Sequence, residues 1–127
     1  MWFFDHSGAE GDEFGFHFGN EFLTGDTLQQ FCVELGSYTQ ESTTLNFRHC
    51  WVAHGIEKNK SWLEAMAKWS GRTVTGTTGR VGYTGSENYG RPRPDYYYYE
   101  SLYQVDPDGT VTLIFEPGPG KYDKIPY

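Results

Sequence analysis

The sequence predicts an α/β domain, a mostly parallel sheet flanked by helices with an added C-terminal β-hairpin. Short runs with an apolar period of two alternate with runs at helical spacing as far as residue 76, the pattern of strand–helix–strand units. Beyond that point Gly, Thr and Tyr dominate, and two β-prone runs flank Asp106-Pro107-Asp108-Gly109, a turn sequence that predicts a hairpin. The 127 residues suit a single domain, 1–127. Its α/β part spans residues 1–79, and 80–127 hold a Gly/Tyr-rich loop, the hairpin and a tail. Nine Phe, ten Tyr and four Trp supply large rings for a core, which argues against disorder.

Taken in order, the aromatic run at residues 2–5 reads as a strand and residues 6–12 as a small, acidic loop. Phe14, Phe16 and Phe18 alternate with Gly15, His17 and Gly19, a strand with one aromatic face. Thr24-Gly25-Asp26 opens a helix with Gln29 as capping-box partner, and Gly36 is a natural stop. Leu28, Phe31, Cys32 and Leu35 form its apolar face, so Cys32 belongs to the core. Residues 43–50 read as a strand with Leu45, Phe47 and His49 on one side and Asn46 and Arg48 on the other. Ser61 and Glu64 form a capping box for a second helix carrying Trp62, Met66 and Trp69, closed by Gly71. Residues 72–75 are a third strand ending at Gly76, residues 96–105 and 110–115 are β-prone, and residues 116–127 read as an irregular tail.

Charge and composition exclude several functions. The net charge of −7 disfavours nucleic acid and anionic membrane surfaces, both of which select basic faces. No apolar run approaches the roughly 20 residues of a membrane span. The first residues lack the basic start, apolar stretch and cleavage site of a secretory leader. Two cysteines are too few for a disulfide framework, so a reducing, cytoplasmic setting is expected. Thr77-Thr78 stands where a phosphate loop needs Lys-Ser/Thr, and neither a Gly-x-Ser-x-Gly elbow nor a paired Cys-x-x-Cys is present.

His6 and Cys50 stand out as candidates for chemistry. Each lies where an apolar strand gives way to an irregular segment, and a single helix separates the two strands. In an open parallel sheet such carboxyl ends are where reactive groups meet. A thiol becomes a nucleophile near neutral pH when a base stands beside it, and imidazole supplies one. The bland alternative is a small buried cysteine at a strand end. Asp5, Glu10, Asp12 and Glu13 crowd the histidine segment, either selecting a basic substrate group or forming a solvated acidic loop. Arg80, Arg91 and Arg93 are candidate anion-recognising side chains, or ordinary surface charge. A metal site from His49, Cys50 and His54 is disfavoured, because neighbours on a strand face opposite ways.

His6-Ser7-Gly8 with the aromatic hairpin after it, Leu23 to Leu28, and Leu45-Asn46-Phe47-Arg48-His49-Cys50-Trp51-Val52-Ala53-His54-Gly55 together resemble the caspase-like cysteine peptidases, most closely the bacterial caspase-like domains. The helix from Trp62 and the segment Ser70 to Gly76 continue the resemblance over about residues 2–79. The histidine–cysteine separation is close to the roughly 50 residues of caspases. The resemblance implies a three-layer sheet and a Cys–His dyad that cleaves peptide bonds without a cofactor or metal, Cys50 as nucleophile and His6 as base and then acid. It implies an oxyanion hole from the N–H groups of Cys50 and Gly8. From their charge and position in the sequence, Asp5, Asp12 and Arg80 are the expected substrate contacts. The partner would be a protein or peptide. The sequence departs from the pattern at Ser7, which separates His6 from the glycine, and at Arg48 and His49 before the cysteine, and it begins at the histidine strand. The alternative is a catalytically degenerate scaffold that binds another protein through its acidic, tyrosine-rich surface.

Overall fold

A computed structural model of the chain describes residues 1–11, 13–83, 96–99, 101–116 and 123–126. In chain order its elements are β1 (Trp2–Phe4), β2 (Ser7–Glu10), β3 (Glu13–Phe18), β4 (Glu21–Leu23), α1 (Gly25–Tyr38), β5 (Thr44–Arg48), a 3-10 turn (Ile56–Lys58), α2 (Trp62–Ser70), β6 (Thr73–Thr77), β7 (Val81–Tyr83), β8 (Tyr96–Tyr99), β9 (Leu102–Val105), β10 (Val111–Phe115) and β11 (Asp123–Pro126). The main sheet runs β1-β5-β6-β9-β10. Its first three strands are parallel, and β9 runs antiparallel to both of its neighbours, β6 and β10. Two three-stranded antiparallel sheets, β2-β3-β4 and β11-β8-β7, complete the described architecture. Neither described helix is long and apolar enough to cross a membrane.

The expected alternation of strand and helix is present, and the class is mixed α/β. The turn at Asp106 joins β9 to β10 as the predicted hairpin, with Gly109 at φ 94 and its N–H donating to the Asp106 carbonyl. The hairpin extends the main sheet, because β9 pairs with β6 along Val74↔Val105 to Thr77↔Leu102. The main sheet therefore continues across the composition shift near residue 76. Two segments read as loop and tail contain strands. Residues 7–10 pair with β3 from Ser7↔Phe16 to Glu10↔Glu13, and residues 123–126 pair with β8. Small residues such as Ser7, Gly8 and Ala9 carry no apolar alternation, so pairing with β3 decides their conformation.

Helix α1 starts at Thr24, but Thr27 rather than Gln29 completes the cap, its hydroxyl accepting the Thr24 N–H at 3.0 Å. The Thr24 hydroxyl donates to the Phe14 carbonyl at 2.6 Å and fixes the helix start to β3. Gly36, expected to stop the helix, lies inside it. A Cβ there would overlap the carbonyl oxygen of Ser70, so the glycine marks the close crossing of α1 and α2. Helix α2 follows its sequence signals, with Ser61 and Glu64 in a reciprocal capping box and Gly71 in the left-handed C-cap at φ 65.

Both helices pack on one face of the main sheet. Leu28 and Cys32 of α1 and Leu63, Met66 and Ala67 of α2 share a buried cluster with Leu45 and Phe47 of β5, Val74 of β6 and Val105 of β9. Burial of each large side chain in this cluster contributes about 1.5–3 kcal/mol. The three-layer expectation needs a helix on the opposite face as well, and none lies there among the described residues. That face carries Asn46, Arg48 and Thr75, a more polar set than a doubly covered parallel strand presents.

Candidate active site

The β1–α1–β5 crossover brings the two singled-out strands side by side, in register Trp2↔Asn46, Phe3↔Phe47 and Phe4↔Arg48. His6 and Cys50 each follow these matched ends by two positions. Two bridges join the segments. The Ser7 hydroxyl donates to the Cys50 carbonyl at 2.6 Å. The His49 Nε2 lies 2.7 Å from the His17 carbonyl, and the His17 N–H donates to the His6 carbonyl at 2.8 Å. The residue after the histidine and the residue before the cysteine are thus both tied across the gap. Ser7, a departure from the caspase-like pattern, is one of the tethers.

The Cys50 side chain is half-buried beside Phe4, Val81, Leu102 and Phe115. Its sulfur accepts the Val81 N–H at 3.3 Å and lies 3.8 Å from the Val81 carbonyl oxygen. His6 is exposed, and none of the described hydrogen bonds joins its imidazole to Cys50. Cys32 contrasts with Cys50: it is fully buried, and desolvation pushes its thiol up from 9.0 to about 12.

His49 and Cys50 face opposite ways. His49 is fully buried among Phe16, Phe18 and Phe47, with ring centroids 5.7, 4.7 and 6.3 Å away. Burial lowers its pKa from 6.5 to about 4, only partly offset by the hydrogen bond to His17, so the ring is neutral at pH 7. Neutral imidazole has one N–H, which the His17 carbonyl takes at Nε2, and Nδ1 has no hydrogen-bond partner. The sequence signal for this placement was the alternation that put His49 on the side of Leu45 and Phe47.

The other site candidates are distributed as follows. Asp5 is engaged by the backbone: its two oxygens accept the N–H groups of His6 and Gly19, both at 2.8 Å. Gly8 lies in β2 opposite Gly15. Arg80 is exposed and sits between Gly79, whose carbonyl accepts the Trp51 N–H at 2.9 Å, and Val81, the partner of the Cys50 sulfur. Asp12, Arg91 and Arg93 lie outside the described residues. Among the described residues, no cluster of three His, Cys, Asp or Glu side chains is placed to hold a metal ion.

Trp51, absent from the sequence-based site, has a left-handed backbone at φ 66. That conformation is unusual for a bulky residue, and such outliers concentrate at functional sites. The turn is held by the Trp51 N–H bond to Gly79 and by the His54 N–H donating to the Trp51 carbonyl at 3.0 Å. The indole and the His54 imidazole meet edge to face at 5.7 Å. Comparison of the chain with family models, curated proteins and solved structures finds no match.

Proposed function

We propose that this protein is a cysteine hydrolase of the caspase-like kind, cleaving peptide bonds with Cys50 as nucleophile and His6 as base, without a cofactor. The observation that carries the reading is the matched ending of adjacent parallel strands two positions before each residue, with the Cys50 sulfur accepting a backbone N–H. His6 takes the thiol proton as sulfur adds to the peptide carbonyl, then delivers it to the leaving amine. Water, deprotonated by the same imidazole, hydrolyses the thioester and restores the thiol. The exposed imidazole must turn toward sulfur in the substrate complex, and catalytic hydrogen bonds are often long in the free enzyme. The Cys50 and Gly8 N–H groups remain the proposed oxyanion donors, and Arg80 the proposed substrate contact nearest the thiol. A three-layer caspase-like sheet, a protein or peptide substrate and a reducing, cytoplasmic location belong to the same reading.

The degenerate-scaffold alternative draws on one observation, that the short contacts of the Cys50 sulfur are with Val81 rather than with an imidazole. Alkylation by iodoacetamide against pH separates the two, with buried Cys32 as internal control and mass spectrometry resolving the sites. An activated thiolate gives rapid labelling of Cys50 at pH 6–7 that falls at least tenfold in His6→Ala, with Cys32 unlabelled in the folded protein. A Cys50 that titrates near 8.5, unchanged by His6→Ala, overturns the enzyme reading and leaves the scaffold.

A further inference from the structure

The turn that follows Cys50 opens onto a cavity of about 420 Å³ lined by Phe14, Trp51, His54, Lys60 and Trp62. Three elements build its walls: β3 gives Phe14, the first residue of α2 gives Trp62, and the strained turn gives Trp51 and His54. Trp51 is 38% exposed, although burying an indole releases apolar surface from water. The left-handed φ of 66 and the edge-to-face contact with His54 hold the indole in this turn. The cavity's lining includes the residue that follows Cys50 in the chain, and a fixed aromatic wall there has the form of a side-chain specificity pocket.

We infer that this cavity receives the aromatic side chain of an extended peptide substrate, and that it sets the specificity of the Cys50 site. The inference rests on the hydrolase reading and adds the substrate class to it. The rings of Phe14, Trp51 and Trp62 offer stacked and edge-to-face contacts to another ring, each such contact adding to the area it buries. The charged residue in the lining is Lys60, with His54 as a second polar residue, a set that suits a ring with an acceptor at its edge. Tyrosine has that form. The occupant is a peptide because the cavity adjoins two others. Phe14 and Trp62 also line a space of about 710 Å³ at the start of α1, and His54 also lines one of about 340 Å³ beside Ser101 and Tyr103. Residues on both sides of the anchoring ring then have room along the same edge of the fold.

Binding is measured with Cys50→Ala protein, so that no cleavage is needed, using two acetylated tetrapeptide amides that differ only in Tyr against Ala. Calorimetry should give at least tenfold tighter binding of the tyrosine peptide. Trp51→Gly, which suits the left-handed backbone and removes one wall, should erase that preference while retaining a cooperative folding transition. Lys60→Ala should reduce the preference for Tyr over Phe at the same position. Equal binding of the Tyr and Ala peptides, or a Tyr preference that survives Trp51→Gly, overturns the pocket assignment. A Tyr preference lost in Trp51→Gly, in a chain whose Cys50 fails the alkylation test, keeps the pocket and removes the hydrolase reading.

Discussion

The two faces of the β1-β5-β6-β9-β10 sheet are built on different principles. The helix-covered face is apolar throughout, with Leu45, Phe47, Val74 and Val105 packed against α1 and α2. On the other face, Thr75 donates to the Asn46 Oδ1 at 2.7 Å and accepts from the Arg48 guanidinium at 2.9 Å, and that guanidinium lies 4.8 Å from the centre of the Trp2 ring. Non-directional burial organises the first face, and geometry-dependent polar contacts organise the second. The division continues past the strand ends, where His49 enters the apolar cluster and Cys50 turns to the other side. A single peptide unit therefore separates a residue serving the core from the one proposed for chemistry. Strand periodicity makes this juxtaposition possible, because neighbouring residues take opposite faces.

The contrast is best broken at Phe47. Phe47→Ala removes a fully buried ring from between the helices and the sheet and should cost about 3–5 kcal/mol in chemical denaturation. A loss below 1 kcal/mol would mean that the helix-covered face is not the principal core.

His49 sharpens the contrast through pH. Its folded pKa of about 4 lies below its ordinary 6.5, so in that window the unfolded chain binds more protons than the folded one. The stability tied to the neutral ring is fully present above pH 6.5 and is lost as pH falls toward 4, on the order of 3 kcal/mol in all. Urea titrations from pH 7 to 4 should show this decline in the parent protein and a flatter profile in His49→Phe. Identical slopes would remove His49 from the apolar cluster.

The smallest expected effect lies on the polar face. Thr75→Val keeps the shape of the side chain but loses both hydrogen bonds of its hydroxyl, which should cost roughly 1–2 kcal/mol. A neutral or stabilising result would show that packing rather than polar pairing holds that face as well.

Much of the fold was legible because its signals are local. The Ser61–Glu64 cap, the apolar spacing of α1, the alternation through Phe16 and the turn at Gly109 each depend on neighbours within a few residues. Gly36 shows the limit: by local rules it ends a helix, yet it sits inside one because Ser70 of another helix lies against it. The strand at residues 7–10 and the strand in the C-terminal segment were missed for the same reason, since each is defined by a distant partner. At the site, the sequence singled out His6 and Cys50 from residue type and position, but Ser7 counted only as an interruption and Trp51 not at all.

By itself, the sequence determined the α/β class, the two helices, the C-terminal hairpin, the burial of Cys32 and the candidacy of His6 and Cys50, all from local pattern and residue chemistry. Only the tertiary structure decided that both described helices share one face, that the hairpin extends the sheet, that Ser7 reaches the Cys50 carbonyl and that Trp51 walls a cavity. Those features join residues far apart in the chain, and such pairings follow from packing and register, which no local window of sequence contains.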